Sequence, residues 1–169
     1  MLATRLASGK FGYGAGGKMI AFQVNGQAVQ SQSRADTPLL DVLRNELDLK
    51  GSRYGCGLEQ CGTCMVLVDG TPAYACTRDV GSVAGHQITT AEGLANHPIH
   101  AALIAEQAGQ CGYCLSGIMV AAAALLAANR NPSRSEIAAA LDKNLCRCGT
   151  HTRILKAVER AARTIRGEG

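Results

Sequence analysis

Eight cysteines fall into two quartets, and their spacing constrains this chain more than any other feature of its 169 residues. The first quartet has the pattern C-x4-C-x2-C followed by a fourth cysteine, and it consists of Cys56, Cys61, Cys64 and Cys76. That is the ligand spacing of a plant-type [2Fe–2S] ferredoxin. The second quartet has the pattern C-x2-C…C-x-C, and it consists of Cys111, Cys114, Cys146 and Cys148. No cysteine is left over, so the spacing predicts two iron–sulfur clusters in two consecutive small domains.

The residues around each quartet suit anionic ligands. Gly55, Gly57 and Gly62 lie among the first three cysteines. Glycine allows positive φ angles there and lets backbone N–H groups approach the sulfur atoms. Such hydrogen bonds stabilise added negative charge on a cluster. Each cysteine pair of the second quartet precedes a predicted helix, and helix N-termini favour anions. We therefore expect two helix N-termini side by side, with a cluster between them.

Zinc is the best competing metal, because C-x2-C is also a zinc half-site. The C-x-C half-site is less usual for zinc, and the spacing of the first quartet does not match a zinc site. A thioredoxin-like redox role is disfavoured, since each C-x2-C pair has two further cysteines in its quartet. The sequence favours iron–sulfur clusters at both sites and leaves zinc as the alternative.

Disulfide bonds would require an oxidising compartment. Met1–Lys18 has neither the long apolar core of a signal peptide nor a twin arginine. No stretch of the sequence reaches the roughly 18 apolar residues of a membrane span. We therefore expect a cytoplasmic, reducing setting, in which cysteine clusters more often bind metal than form disulfides.

The first half of the chain has the pattern of a β-grasp domain. We predict a flexible extension over residues 1–18 and a ferredoxin-like domain over residues 19–91. Two hairpin turns are indicated by Asn25-Gly26 and Asp69-Gly70, each between alternating apolar and polar residues.

Two details of this domain are specific expectations. Thr37 is predicted to cap a helix whose first residue is Pro38. The returning strand of the second hairpin is predicted over Pro72–Thr77, so that it carries Cys76.

The second half, residues 92–169, is predicted to be all helical. Pro98–Gln107 is the first helix, and Cys114–Ala128 is apolar nearly all round, which places it at the centre of a four-helix domain. Ser133 and Glu136 form the capping box of the third helix. The fourth helix runs from about residue 150 to 166, with apolar residues at helical spacing.

Composition excludes several functions. The net charge of +4 is too small and too scattered to indicate a nucleic-acid partner. We find no nucleophile–base arrangement, no phosphate-binding glycine loop and no flavin or nicotinamide fingerprint. We therefore expect no catalytic residue in this chain and substrate chemistry elsewhere.

Three motifs closely resemble the iron–sulfur subunit of molybdenum hydroxylases, the xanthine oxidase/aldehyde oxidoreductase family. They are Tyr54–Cys64 (YGCGLEQCGTC), Gln110–Cys114 (QCGYC) and Asn144–Thr150 (NLCRCGT). The resemblance covers about residues 19 to 165 and implies an α+β fold, with a ferredoxin-like domain followed by a four-helix domain special to this family. The triplet at 58–60 is most similar to the flavin-free hydroxylases of N-heteroaromatic compounds, such as isoquinoline and nicotinate oxidoreductases.

The resemblance implies a role for each quartet. In this family a large partner subunit binds a molybdenum–pterin cofactor, and the substrate here would be an N-heteroaromatic compound or an aldehyde. Electrons would pass to the cluster of the second quartet, then to that of the first, and on to a flavoprotein or cytochrome. Gln110 matches the glutamine that hydrogen-bonds the pterin, and Cys148 matches the ligand near the pterin amino group. The main rival is a free-standing two-cluster electron carrier.

Overall fold

The computed structural model describes residues 5–6 and 19–168. The flexible extension predicted for residues 1–18 lies outside this part of the chain, except for Arg5 and Leu6. These two residues form strand β1 (Arg5–Leu6), which pairs in parallel with a later strand.

One mixed sheet organises the first half of the chain. Its remaining strands are β2 (Ile20–Val24), β3 (Gln27–Ser31), β4 (Met65–Val68), β5 (Thr71–Tyr74) and β6 (Gln87–Thr89). The strand order is β1-β3-β2-β6-β4-β5, with β2 and β6 parallel at the centre and an antiparallel hairpin on either side. The hairpins, the helix between them and the last strand follow one another along the chain as the β-grasp pattern predicts.

The two hairpin turns have the predicted residues. Asn25 and Gly26 have φ angles of 51° and 78°, and Asp69 and Gly70 have φ angles of 48° and 81°. Two consecutive positive φ angles match the twist of the flanking strands, which is why Asn-Gly and Asp-Gly are favoured at such turns.

Helix α1 (Leu39–Asp41) continues as a π-helical segment (Val42–Glu46) and begins one residue later than predicted. Pro38 has an extended ψ of 133° and precedes the helix, and Thr37 does not cap it. The first N–H groups of the helix donate to the backbone instead: Leu39 to the Arg78 carbonyl at 2.7 Å and Leu40 to the Ala75 carbonyl at 2.8 Å. A tertiary contact therefore replaces the expected side-chain cap.

The same contact explains a second difference. Strand β5 ends at Tyr74, so Cys76 lies beyond the strand and not within it as predicted. The Ala75 carbonyl accepts from the Leu40 N–H of α1, whereas the Ala75 N–H donates to the Cys64 carbonyl at 3.4 Å, so the backbone after Tyr74 is shared between α1 and the residue before β4.

Four helices make up the second half: α2 (Pro98–Ala105), α3 (Leu115–Ala128), α4 (Arg134–Leu141) and α5 (His151–Ile165). Helix α3 is central, with nine of its 14 residues buried. The capping box of α4 is present as predicted: the Ser133 hydroxyl accepts from the Glu136 N–H, and the Glu136 carboxylate accepts from the Ser133 N–H.

Two hydrophobic cores meet at the sheet. One lies between the sheet and α1, and it includes Leu40, Leu43 and Val66. The other surrounds α3 and includes Met65 and Leu67. Because neighbouring residues of a strand point to opposite faces, β4 contributes to both cores. Among residues 19–168, no helix is both long and apolar enough to cross a membrane.

Candidate iron–sulfur sites

The first site is built on the loop that joins α1 to β4. Gly57, Glu59 and Gly62 have positive φ angles of 67°, 57° and 72°, which turn the loop tightly around its cysteines. The backbone N–H groups of residues 58 and 60 donate to the Cys56 sulfur at 3.3 Å and 3.2 Å. The loop thus presents backbone donors to a thiolate, as the glycine pattern predicts.

The four thiols of the first site meet in two pairs. The Cys56 N–H donates to the Cys61 sulfur at 3.4 Å, and the two side chains are near neighbours. The Cys64 thiol is a near neighbour of Cys76, and both residues are buried. A [2Fe–2S] cluster takes two thiolates on each iron, so this pairing fits its ligand requirement.

The electrostatic environments of the two pairs differ. Backbone N–H donation from Leu58 and Gln60 lowers the pKa of Cys56 to about 7. Burial raises the pKa of Cys64 to about 12, with its neighbour Cys76 contributing. Cys56 is therefore stabilised as a thiolate by the backbone, whereas Cys64 needs a bound cation to be deprotonated near neutral pH.

Gly55 leaves the space that the first site needs. A side-chain Cβ at this position would lie 2.7 Å from the Cys61 sulfur and 2.8 Å from the Thr63 methyl group. Any larger residue would displace the thiol, so glycine is required here by proximity to a ligand candidate.

The second site lies where the N-termini of α3 and α5 come together. Cys114 is the residue that precedes α3, and Cys146 and Cys148 lie in the turn before α5. The sulfurs of Cys111 and Cys148 are 3.5 Å apart, and the thiols of Cys114 and Cys146 are near neighbours. The quartet is again assembled as two pairs, and each pair joins one helix start to the other.

The pKa values of this quartet also diverge. Donation from the Tyr113 N–H and from the Cys148 thiol lowers the pKa of Cys111, which is exposed. Burial alone would raise the pKa of Cys146, but interactions with Thr150, Cys148 and Cys114 together outweigh it and lower the pKa to about 7. Burial raises the pKa of Cys114 to about 12.

A hydrogen-bonded seam connects the two sites. We use "seam" for the contacts of residues 53–63 with residues 112–117 and 143–145. The Leu145 N–H donates to the Cys61 carbonyl at 3.0 Å, and the Thr63 hydroxyl donates to the Tyr113 carbonyl at 2.9 Å. The Arg53 guanidinium donates to the Gly112 carbonyl at 2.8 Å. The backbone next to one quartet is thus bonded directly to the backbone next to the other.

The seam residues are those that sequence reasoning missed. None of these residues is a candidate metal ligand or catalytic group, and none follows a periodic pattern in the sequence. They are Arg53, Thr63, Ser116 and Asn144. The one available signal was the pair Ser116-Gly117, which interrupts an apolar helix with two small residues. A Cβ on Gly117 would lie 1.9 Å from the Gly62 carbonyl oxygen, so the helix touches the first loop at this point.

Gln110 and Cys148 lie at the surface beside the second site. Gln110 is exposed and lines an open cavity of about 440 Å³ with Arg53, Gln107 and Ser116. Its neighbour Cys111 contacts Cys148, so the two residues flank the same edge of the quartet. This edge is accessible to a partner molecule.

The residues present fit two [2Fe–2S] clusters. All eight cysteines are free thiols. Within residues 19–168, no three His, Cys, Asp or Glu side chains converge on one ion; the thiols meet in pairs. Backbone donors point at Cys56 and Cys111, and the Tyr74 hydroxyl beside the first site is buried without a partner among the described residues.

Family models match both halves of the chain. Residues 22–94 match a 2Fe-2S iron-sulfur cluster binding domain, and residues 90–159 match a [2Fe-2S] binding domain. These matches confirm the α+β fold class and the two clusters, and they decide against zinc.

Curated relatives span the same length as this chain. One of the subunits of nicotinate dehydrogenase from Pseudomonas putida is 52% identical over 151 residues, which cover 87% of this chain and 96% of that protein. The alpha subunit of isoquinoline 1-oxidoreductase from Brevundimonas diminuta is 48% identical over 149 residues, covering 86% of this chain and 98% of that protein.

Solved structures share the fold. Quinoline 2-oxidoreductase from Pseudomonas putida contains a chain that superposes with a TM-score of 0.83 at 31% identity, covering 90% of this chain and 98% of that one. Aldehyde oxidoreductase from Desulfovibrio gigas superposes with a TM-score of 0.86 at 36% identity, and this chain covers 18% of that longer protein. The chain therefore belongs to the family of iron–sulfur subunits of molybdenum hydroxylases.

Proposed function

We propose that this chain is the electron-transfer subunit of a molybdenum-cofactor hydroxylase or dehydrogenase. It would receive electrons from the molybdenum–pterin centre of a large partner protein and deliver them to an external acceptor. The observation that carries the proposal is the direct hydrogen bond between the two cysteine segments, from the Leu145 N–H to the Cys61 carbonyl. Such a contact holds the two quartets at a fixed separation, which electron transfer requires.

All eight cysteines are proposed as ligands, and the clusters supply one-electron transfer when bound. The outer cluster would be held by Cys56, Cys61, Cys64 and Cys76. The inner cluster, nearer the pterin, would be held by Cys111, Cys114, Cys146 and Cys148. The pairing of thiols at both sites supports this assignment, since each iron takes two of them. The domain division at residue 91/92 is proposed on the same grounds.

Gln110 and Cys148 are proposed to face the pterin of the large subunit. The support is their position: Gln110 is exposed, and the half-buried Cys148 contacts the exposed Cys111 at the open edge of the second quartet. A glutamine amide can both donate and accept hydrogen bonds, which suits the edge of a pterin ring.

Partners and substrate follow from the relatives and remain proposals for this chain. The two relatives described above are named for nicotinate and isoquinoline, so we propose an N-heteroaromatic compound or an aldehyde as the substrate of the assembled enzyme. The external acceptor would be a flavoprotein or a cytochrome. We propose a cytoplasmic location, in which eight thiols stay reduced until they bind iron.

The deciding experiment is quantitative EPR of the dithionite-reduced protein, purified with its partner. We expect two distinguishable [2Fe–2S] signals, each at about one spin per chain. Replacing Cys111 with Ser should remove the inner signal and stop turnover, while the outer signal stays. Replacing Cys61 with Ser is the matched control and should remove the outer signal instead. Retained turnover with an empty inner site would contradict the proposed electron path.

A further inference from the structure

The Tyr74 hydroxyl is a buried polar group whose partner is not a protein atom among the described residues. Only two other side-chain atoms in this part of the chain share that property, on Ser52 and Asn144. A buried hydroxyl without a hydrogen-bond partner destabilises the folded protein, because its desolvation is not compensated. Such a group in a native protein calls for a partner other than the protein itself, such as water or a bound group.

The position of Tyr74 identifies that partner. Tyr74 is the last residue of β5, stands opposite Met65 on β4, and precedes the proposed ligand Cys76 by two residues. Its ring packs against both hydrophobic cores, so it lies where the sheet meets the helical domain. The phenol is therefore enclosed between the two halves of the chain, beside the first quartet.

The groups around the phenol are acceptors. The carboxylate of Glu59 and the thiols of Cys64, Cys56 and Cys61 lie within electrostatic range of the Tyr74 hydroxyl. Three of these four groups belong to the first quartet. A phenolic hydroxyl carries one O–H donor, so it can donate to a thiolate or sulfide acceptor.

We propose that the Tyr74 hydroxyl donates a hydrogen bond to the cluster held by the first quartet and raises the reduction potential of that cluster. This inference rests on the proposed function. A donor aimed at cluster sulfur stabilises the reduced form, which carries one more negative charge. Tyr74 thereby favours electron flow from the inner cluster to the outer one.

The test is a redox titration of the holoprotein, followed by EPR, in Tyr74→Phe and in the parent. We expect the variant to shift the equilibrium of the outer cluster at least threefold towards the oxidised form, which corresponds to a lower potential by about 28 mV for a one-electron couple. The inner cluster should be unchanged. Tyr54→Phe is the matched control, because Tyr54 also lies two residues before a proposed ligand but is 59% exposed. Removal of the Tyr54 hydroxyl should leave the reduction potentials of both clusters unchanged.

Two outcomes would overturn the inference. Unchanged potentials, together with a Tyr74→Phe holoprotein at least as stable as the parent, would show that the hydroxyl has no acceptor in the cluster. A shift of the same size in Glu59→Gln that is absent in Tyr74→Phe would assign the effect to the carboxylate. Failure of the proposed function is distinguishable, since the parent protein would then lack one of the two EPR signals.

Discussion

At the scale of single residues, the closest approach in the seam is made by Gly117, and it leads to the first prediction. In an exposed helix, replacing Gly with Ala stabilises by about 1 kcal/mol. Here the added Cβ would lie 1.9 Å from the Gly62 carbonyl oxygen, which is backbone and cannot rotate away. We therefore expect Gly117→Ala to lower the free energy of unfolding of the holoprotein by about 1–3 kcal/mol. Urea unfolding of both proteins measures this change in the free energy of unfolding. A variant as stable as the parent would mean that α3 does not press on the first loop.

The role of a single residue could be predicted from the sequence only when that role depends on residues close to it in the chain. Gly55, Gly57 and Gly62 were expected from the sequence because they stand between cysteines of one loop. Gly117 and Tyr74 were not, because their roles arise from chain segments that are distant in sequence. A tyrosine in a strand pattern gives no sign of where its hydroxyl will lie.

At the scale of elements, the capping box of α4 supports a second prediction. The Ser133 hydroxyl accepts the Glu136 N–H at 3.3 Å, and the Glu136 carboxylate accepts the Ser133 N–H at 2.7 Å. Ser133→Ala should lower the free energy of unfolding by about 1 kcal/mol, whereas Ser133→Thr, which keeps the cap, should lower it much less. Thermal unfolding of the three proteins makes the comparison, and an equal loss in both variants would contradict the role of the cap.

The same element has a defined pH dependence. Hydrogen bonds from the Ser133 side chain and backbone hold the pKa of Glu136 below its ordinary value of 4.5. Because the folded-state pKa is lowered, the stabilisation is present above pH 4.5 and is lost as the pH falls through the folded-state value. The difference in the free energy of unfolding between the parent and Ser133→Ala should therefore become smaller as the pH falls below 4.5. A difference that stays constant down to pH 2 would show that the charged carboxylate contributes nothing.

Turns and helix caps that depend on neighbouring residues were predicted correctly. Helix and strand ends that are determined by tertiary contacts were not. The Asn-Gly and Asp-Gly hairpins and the Ser133 cap are encoded within four residues of sequence. The predicted start of α1 and the predicted end of β5 were wrong for one shared reason: the Leu40 N–H donates to the Ala75 carbonyl. That bond joins two segments that are distant in sequence, so neither end could be located from its own neighbours.

At the scale of the whole molecule, cysteine spacing specified two clusters and the order of the two domains. It did not specify how the domains meet, because the seam is formed by loop backbone groups that follow no pattern. The seam nevertheless determines function, since it brings Cys61 next to the segment that carries Cys146. A chain with the same motifs and a loose junction would hold the same clusters without a fixed path between them.

The last prediction concerns which side of the molecule meets the large subunit. Leu145 adjoins the second quartet and is 62% exposed; Leu58 adjoins the first and is 68% exposed. If the inner cluster faces the partner, Leu145 becomes buried on assembly, which is worth about 1.5–3 kcal/mol for a leucine. Leu145→Ser should then weaken binding of the large subunit by about tenfold or more, while Leu58→Ser leaves it unchanged. Titration of the purified subunits measures both affinities. The reverse result would place the first quartet at the interface, because the two leucines are matched in type and exposure and their side chains adjoin different quartets.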